Sequence, residues 1–306
     1  MYSMDERLRQ RLTEILERPV KWDCPLCDYT SFRIGGPADA VVSTGNLQEL
    51  QDLLAALASS GVEWRVIGRG TNLLADDSGY RGVAILLDGK FKEIEIVEGE
   101  TVSITAGAGL SLSRLSALCI DKGFAGLEFS AGIPGTVGGA VAMNAGAWGG
   151  EIGDVIVSVN TLSSAGLESL SKDKLSFGYR KTEGIDYGIS VVTSAEFNLK
   201  AGDAEEIKRI CRRHRKSRDE KQPKGFANAG SVFKNPKGDS AGRLIEACGL
   251  KGKRIGGALV SEKHANFIVN CGDASAADVL HLIEYVRKKV QQDSGVLLEP
   301  EVHVLC

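Results

Sequence analysis

The chain has 306 residues, with 37 Lys and Arg against 40 Asp and Glu for a formal net charge of −3. That is too much sequence for one ordinary core, and too balanced a charge to draw it to nucleic acid or an anionic membrane. Its seven scattered cysteines read as reduced core thiols, no stretch approaches the roughly 18 apolar residues of a membrane span, and the opening MYSMDERLRQRL lacks a signal-peptide core, so a cytoplasmic protein is expected.

Leu8, Leu12, Ile15 and Leu16 recur at helical spacing and predict an amphipathic helix ending near Pro19. Residues 23–30 read as a loop. Cys24 and Cys27 within it have the spacing of a zinc or redox pair, but no second pair exists to complete a zinc site, so no metal is expected. From residue 38 to about 199, β runs alternate with helices. The runs fall at 38–43, 64–67, 83–87, 91–97 and 101–106. One helix follows Asn46 and carries Leu47, Leu50, Leu54 and Leu57, with Asn46 and Glu49 making a start like a capping box; a second covers 111–122 with Leu112, Leu115, Leu118 and Cys119 inward.

Residues 203–224 form a charged helical segment, read as a solvated helix face because no aromatics interleave its basic run. Beyond it, helices are predicted at 239–248 and 275–292 and β runs at 265–270 and 301–304. The pattern is that of an α+β protein in three parts: an N-terminal helix and lead-in (1–27), a larger α/β domain (28–200) and a smaller C-terminal α+β domain (201–306).

The 37 glycines, against 7 prolines, exceed the usual share of about 7%. They concentrate in two segments, Val66-Ile67-Gly68-Arg69-Gly70-Thr71-Asn72-Leu73-Leu74 and Ala131-Gly132-Ile133-Pro134-Gly135-Thr136-Val137-Gly138-Gly139-Ala140. Bare backbone there permits close approach of a ligand, and successive N–H groups with the Thr71 and Thr136 hydroxyls and the Asn72 amide suit a diphosphate. The first segment lacks the ending of a nucleoside-triphosphatase loop, and neither it nor Gly107-Ala108-Gly109 meets the dinucleotide fingerprint, which disfavours a plain Rossmann domain.

Taken together, SFRIGGPA (31–38), GRGTNLL (68–74), GIPGTVGGAVAMNAGAWGGEIGD (132–154), FGYRKT (177–182), GSVFKNP (230–236), the run 241–270 and LEPEV (298–302) resemble, in order, the UDP-N-acetylenolpyruvoylglucosamine reductase family. The resemblance covers nearly all of the chain from about residue 28. It implies an FAD-binding domain of the vanillyl-alcohol-oxidase (PCMH) type, built of two α/β subdomains, then a substrate domain. The activity implied is reduction of the enolpyruvyl ether of UDP-N-acetylglucosamine to UDP-N-acetylmuramate, in peptidoglycan synthesis, with NADPH as hydride donor. FAD is expected to be held by Gly68, Arg69, Gly70, Thr71, Asn72 and Leu73 and by Gly132, Ile133, Pro134, Gly135, Thr136, Gly138, Gly139, Asn144 and Gly146. With no histidine or cysteine in either glycine segment, it is expected to be noncovalent. Only residues 181–190 separate Arg180 from the next β run, so the chain resembles the branch lacking an extra tyrosine-bearing loop, and Trp148 stands where a tyrosine is common.

The chemistry sets requirements of its own. Hydride addition to the terminal enolpyruvyl carbon leaves negative charge on its neighbour, delocalised into the carboxylate, so a cation should hold the carboxylate and an acid should protonate the carbon. Arg180 supplies a permanently charged fork. By resemblance Ser231 is the proton donor and Glu301 the catalytic carboxylate; like charges repel, so Glu301 is expected to carry a proton or to act through water. Glu299 is two residues away, the same face of a regular strand, so periodicity leaves both glutamates open. The resemblance further points to Tyr179 beside the substrate, and to Lys221, Asn235 and His264 at its diphosphate, although a packed aromatic and a packed histidine fit Tyr179 and His264 as well.

Overall fold

The structure is a computed structural model and describes residues 4–306; the first three residues of the expected lead-in lie outside it. The chain folds into two compact units. One holds the residues up to Trp22, Ala40–Gly68 and Gly82–Ser217; the other holds Asp23–Asp39, Arg69–Arg81 and Arg218–Cys306. Neither is contiguous in sequence, unlike the expected division after residues 27 and 200. The reason is long-range pairing: Leu73–Ala75 forms a parallel ladder with His303–Leu305, and the Asp77 carboxylate accepts from the Ala276 and Ala277 amides at 2.7 and 3.0 Å.

In the first unit the helix Glu6–Ile15 starts at Asp5, whose side chain accepts from the Leu8 amide at 2.7 Å, and buries Leu8 and Leu12. It stops four residues short of Pro19. The helix Leu47–Ser60 is capped as expected, Asn46 accepting from the Glu49 amide at 3.0 Å. The buried Glu49 carboxylate does not complete a capping box; it accepts instead from the Gly45 and Glu17 amides at 2.6 and 2.7 Å, tying the helix start to the chain beside it. Leu47 faces outward at 43% exposure, because it is the first helical residue and precedes the buried stripe of Leu50, Leu53, Leu54 and Leu57.

The centre of this unit is an antiparallel sheet in the order Gly166–Ser171, Ile156–Ser163, Ser190–Ala201, Val102–Gly107, Ile94–Glu98. Phe91, expected to open the last of these, belongs to the 3-10 turn Gly89–Lys92, whose first amide is held by Asp88. Along Ser190–Ala201, Ala195, Phe197 and Leu199 alternate inward. Each large apolar side chain buried here contributes roughly 1.5–3 kcal/mol.

In the second unit the segment expected as a loop contains the end of the strand Lys21–Pro25 and the 3-10 turn Leu26–Tyr29. The Leu26 and Cys27 amides donate to the Gly36 and Gly35 carbonyls at 2.9 and 3.2 Å. Cys24 and Cys27 are half-buried free thiols. The helix Ala276–Ser294 opens with a reciprocal Ser275–Asp278 capping box and buries Val279, Leu282, Ile283, Val286 and Val290. It lies on a three-stranded antiparallel sheet of Arg254–Ile255, Ala258–Val260 and Ile268–Asn270. The expected run 301–304 forms a strand only from His303. Among the described residues, no helix is long and apolar enough to cross a membrane.

Candidate active site

Two stretches of bare backbone meet in the first unit. A Cβ on Gly68 would lie 2.6 Å from the Thr136 Oγ1, so the end of the first glycine segment abuts the second, and only glycine fits there. Thr136 caps the short helix Val137–Ala142, accepting from the Gly139 amide at 3.3 Å, while Gly132 and Gly135 take φ of +83° and +131°. Gly132, Pro134 and Gly139 are exposed and Ile133 half-exposed. The amide of Gly138, expected among the cofactor contacts, instead donates to the Ala108 carbonyl at 2.9 Å, as the adjacent Val137 amide does to Leu110 at 2.8 Å, and a Cβ on Gly138 would press on Ala108 at 2.9 Å. Gly138 is therefore a packing glycine. The exposed glycines Gly132 and Gly139, close to where Gly68 meets Thr136, leave bare backbone that fits an extended diphosphate-containing group such as FAD.

Arg180 occupies the tip of a two-strand hairpin, Ser176–Gly178 with Lys181–Glu183, also in the first unit. Its backbone is left-handed at φ +59°, a conformation that costs a residue with a side chain about 1–2 kcal/mol and that concentrates at functional positions. The guanidinium lies 5.5 Å over the ring of Tyr179, which is half exposed, and its Nη1 donates to the Gly146 carbonyl at 3.2 Å. Gly146 belongs to a second small hairpin, Gly146–Ala147 with Gly150–Glu151. Trp148 and Gly149 make its turn at φ +59° and +85°, and Trp148 stacks on His214 with centroids 4.9 Å apart. Thr182 donates to the Val141 carbonyl at 2.6 Å. Asn144, expected among the cofactor contacts, is 2% exposed, and its amide serves the Gly178 carbonyl and the Gly153 amide. A separate groove of about 880 Å³ in this unit, bordered by Arg18, Asn46, Lys90 and Phe91, contains none of the expected site residues.

The second unit assembles the remaining chemical groups. Gly70 takes φ +59° with its Cα packed on the Tyr29 carbonyl, and its own carbonyl accepts from the Ser31 amide and hydroxyl, both at 3.1 Å. Thr71, Asn72 and Leu73 follow, half-buried, with Arg69 exposed before them. The Asn72 side chain donates to the Glu301 carbonyl at 3.1 Å, and the Glu301 amide donates to the Val232 carbonyl at 2.7 Å. With the Phe233–Pro300 bridge, these bonds lay the Ser231 segment alongside the Glu301 segment. Asn266, which the sequence pattern did not single out, brackets the first of them: it accepts from the Phe233 amide at 2.9 Å and donates to the Phe233 carbonyl at 2.8 Å. Its signal was a polar amide directly before the apolar run Phe267-Ile268-Val269. The two glutamates are now distinguished, because Glu299 is exposed and paired with Lys234 while Glu301 is half-buried against the Asn72 loop.

His264 and Asn235 both meet the start of the helix Ala241–Ala247. Asn235 accepts from the Ala241 amide at 3.0 Å, and a Cβ on Gly242 would lie 3.2 Å from the His264 ring. Burial lowers the His264 pKa, with the positive charges of Lys251 and Lys221 adding to it. The ring is thus neutral near pH 7, and because its Nδ1 accepts from the Asn266 amide at 3.2 Å, the proton sits on Nε2 as a donor. The sign for stability follows. A neutral ring favoured by folding stabilises fully above the ordinary value of about 6.5, and that contribution is lost as pH falls through the lowered folded value. Between about pH 7.5 and pH 5 the urea midpoint of His264→Gln is therefore expected to fall less than that of the parent chain, and identical declines would exclude His264 as the source.

Mixed α and β structure, the exposed glycine backbone beside Gly68 and Thr136, and a family model for the FAD binding domain over residues 38–168 together define an FAD-binding protein. A second family model, the UDP-N-acetylenolpyruvoylglucosamine reductase C-terminal domain, matches residues 222–305. The UDP-N-acetylenolpyruvoylglucosamine reductases of Syntrophus aciditrophicus and Geobacter sulfurreducens are each 44% identical to the chain. They cover 97% and 98% of it, and 96% and 99% of their own lengths. The crystal structure of UDP-N-acetylenolpyruvylglucosamine reductase from Thermus caldophilus aligns with a TM-score of 0.80 at 38% identity, over 94% of this chain and 98% of that one. The chain belongs to the UDP-N-acetylenolpyruvoylglucosamine reductase family.

Proposed function

We propose that the chain reduces the enolpyruvyl group of UDP-N-acetylglucosamine enolpyruvate to give UDP-N-acetylmuramate in the cytoplasm, using NADPH and noncovalent FAD. The observation that carries this reading is the joining of three distant segments: Ser231 and Glu301 lie on backbone linked by the Glu301–Val232 hydrogen bond, and Asn72 of the first glycine segment grips the Glu301 carbonyl. A proton donor and a cofactor loop thus share one scaffold. FAD, when bound, supplies two-electron transfer from the nicotinamide to the enolpyruvyl carbon.

The chain's own residues do the rest. Residues 68–73, with Gly132, Ile133, Pro134, Gly135, Thr136 and Gly139, hold the diphosphate and the groups flanking it, chiefly through backbone. Arg180 forks onto the substrate carboxylate and balances the charge that develops there. The Ser231 hydroxyl delivers its proton to the carbanionic carbon, an acceptor basic enough for so weak an acid. Glu301 acts at the same carboxylate end. Lys221, Asn235 and the Nε2–H of His264 bind the UDP phosphates, and Tyr179 lines the site beside Arg180.

The deciding experiment is purification with a visible-absorption spectrum, followed by NADPH oxidation with and without the enolpyruvyl UDP-sugar. A yellow protein with substrate-dependent turnover is expected, and a colourless one that FAD cannot reconstitute would overturn the reading. The glutamates give a sharper check. Glu299→Gln removes an exposed ion pair of at most about 1 kcal/mol and is expected to keep kcat within about two-fold, whereas Glu301→Gln is expected to lower it by about 10²-fold or more.

A further inference from the structure

Two of the bonds that anchor the Arg180 turn trace back to one short stretch of the first unit. Gly178 ends the strand leading into the turn, and its carbonyl accepts from the Asn144 Nδ2 at 3.1 Å. The Arg180 Nη1 donates to the carbonyl of Gly146, two residues beyond Asn144. The Asn144 Oδ1 accepts from the Gly153 amide at 2.9 Å, and Gly153 presses on Phe177 of the Arg180 hairpin, where a Cβ would lie 2.8 Å from the Phe177 side chain. Asn144 is 2% exposed and stands at φ +39°. Glycine would adopt that backbone at less cost, but without the amide that joins the two segments.

We propose that Asn144 is a positioning residue for Arg180: its amide locks the hairpin so that the guanidinium is presented at a fixed height and direction. It acts through Arg180 and so rests on the reading of Arg180 as the carboxylate-binding cation. A donor is required at Nδ2 and an acceptor at Oδ1. Aspartate keeps the acceptor for Gly153 but, when ionised, turns an oxygen toward the Gly178 carbonyl; when protonated, it again has a donor to offer. The charged and titratable groups on the elements packed about this position are Arg180, Lys181, Glu183, Glu151 and Asp154, with Glu128 and His214 on the elements behind the Trp148 turn.

The test compares flavin-loaded parent, Asn144→Asp, Asn144→Gly and Arg180→Ala in steady-state kinetics from about pH 5 to pH 9, beside FAD-binding titrations and urea unfolding. At alkaline pH, Asn144→Asp is expected to lose about ten-fold or more in kcat/KM, since displacements of the order of 1 Å are that costly, and to regain most of it relative to the parent as pH falls. Asn144→Gly, which fits the backbone, is expected to show a comparable loss at every pH. FAD affinity and NADPH-driven flavin reduction should stay near parental values. Parental kcat/KM in both Asn144 variants, a loss in Asn144→Asp that does not respond to pH, or a loss confined to FAD affinity would each overturn the proposal. If Arg180→Ala is crippled while both Asn144 variants are unaffected, only the positioning role falls. If Arg180→Ala is itself active, the reading of Arg180 falls first.

Discussion

Replacing Ser231 with alanine is expected to slow reoxidation of the flavin by the enolpyruvyl substrate by about 10²–10⁴-fold, the usual worth of a positioned proton donor. Flavin reduction by NADPH should change by less than about two-fold, because no proton has to reach a substrate carbon in that half-reaction. Stopped-flow absorbance separates the two phases. The fold should tolerate the change: Ser231 is half-buried, and the bonds that hold its segment come from the backbone of Val232 and Phe233 and from Asn266. An equal loss in both phases would count against Ser231 as the acid.

Removing Arg180 gives the second large effect, and its backbone makes a clean separation possible. Arg180→Ala is expected to lower kcat/KM by about 10²–10³-fold, as loss of a preorganised charge contact does. Arg180→Lys should recover little of it, since an ammonium keeps the charge but not the fork. Arg180→Gly should be as inactive as the alanine variant and yet at least as stable as the parent, because glycine at φ +59° is relieved of about 1–2 kcal/mol of left-handed strain. Urea unfolding beside kinetics reads both quantities. A destabilised glycine variant would show that the arginine serves the fold more than the reaction.

The elements legible in the sequence are those whose signals are local. Asn46, Ser111 and Ser275 each cap the helix predicted beside them, because a cap is decided by a side chain and an amide three residues on. Residues 23–30 read as featureless because their hydrogen bonds go to Gly35 and Gly36, which no local pattern announces. The grouping of residues 23–39 and 69–81 with 218–306 depends on contacts such as Ser31 with Asn228, made across most of the chain. Within the candidate site, the motif segments pointed to Arg180, Ser231 and Glu301 but not to what holds them. Glu299 and Glu301 were indistinguishable because a two-residue period presumes a regular strand, and regular pairing begins only at His303. Asn144 falls among the expected cofactor contacts because it lies in the segment 132–154 that carries the resemblance; only its burial and its two hydrogen bonds separate it from them.

The parallel pairing of Leu73–Ala75 with His303–Leu305 has a consequence for the order of events during synthesis. Residues 69–73 are translated early, yet the strand that follows them acquires its partner, and Asn72 its hold on Glu301, only after residue 305 has left the ribosome. A nascent chain can complete the Arg180 hairpin and the Thr136 cap first, whereas the Asn72–Glu301 clasp has to wait for a residue made 229 positions later, so this half of the site becomes fit to bind after the other elements are already in place.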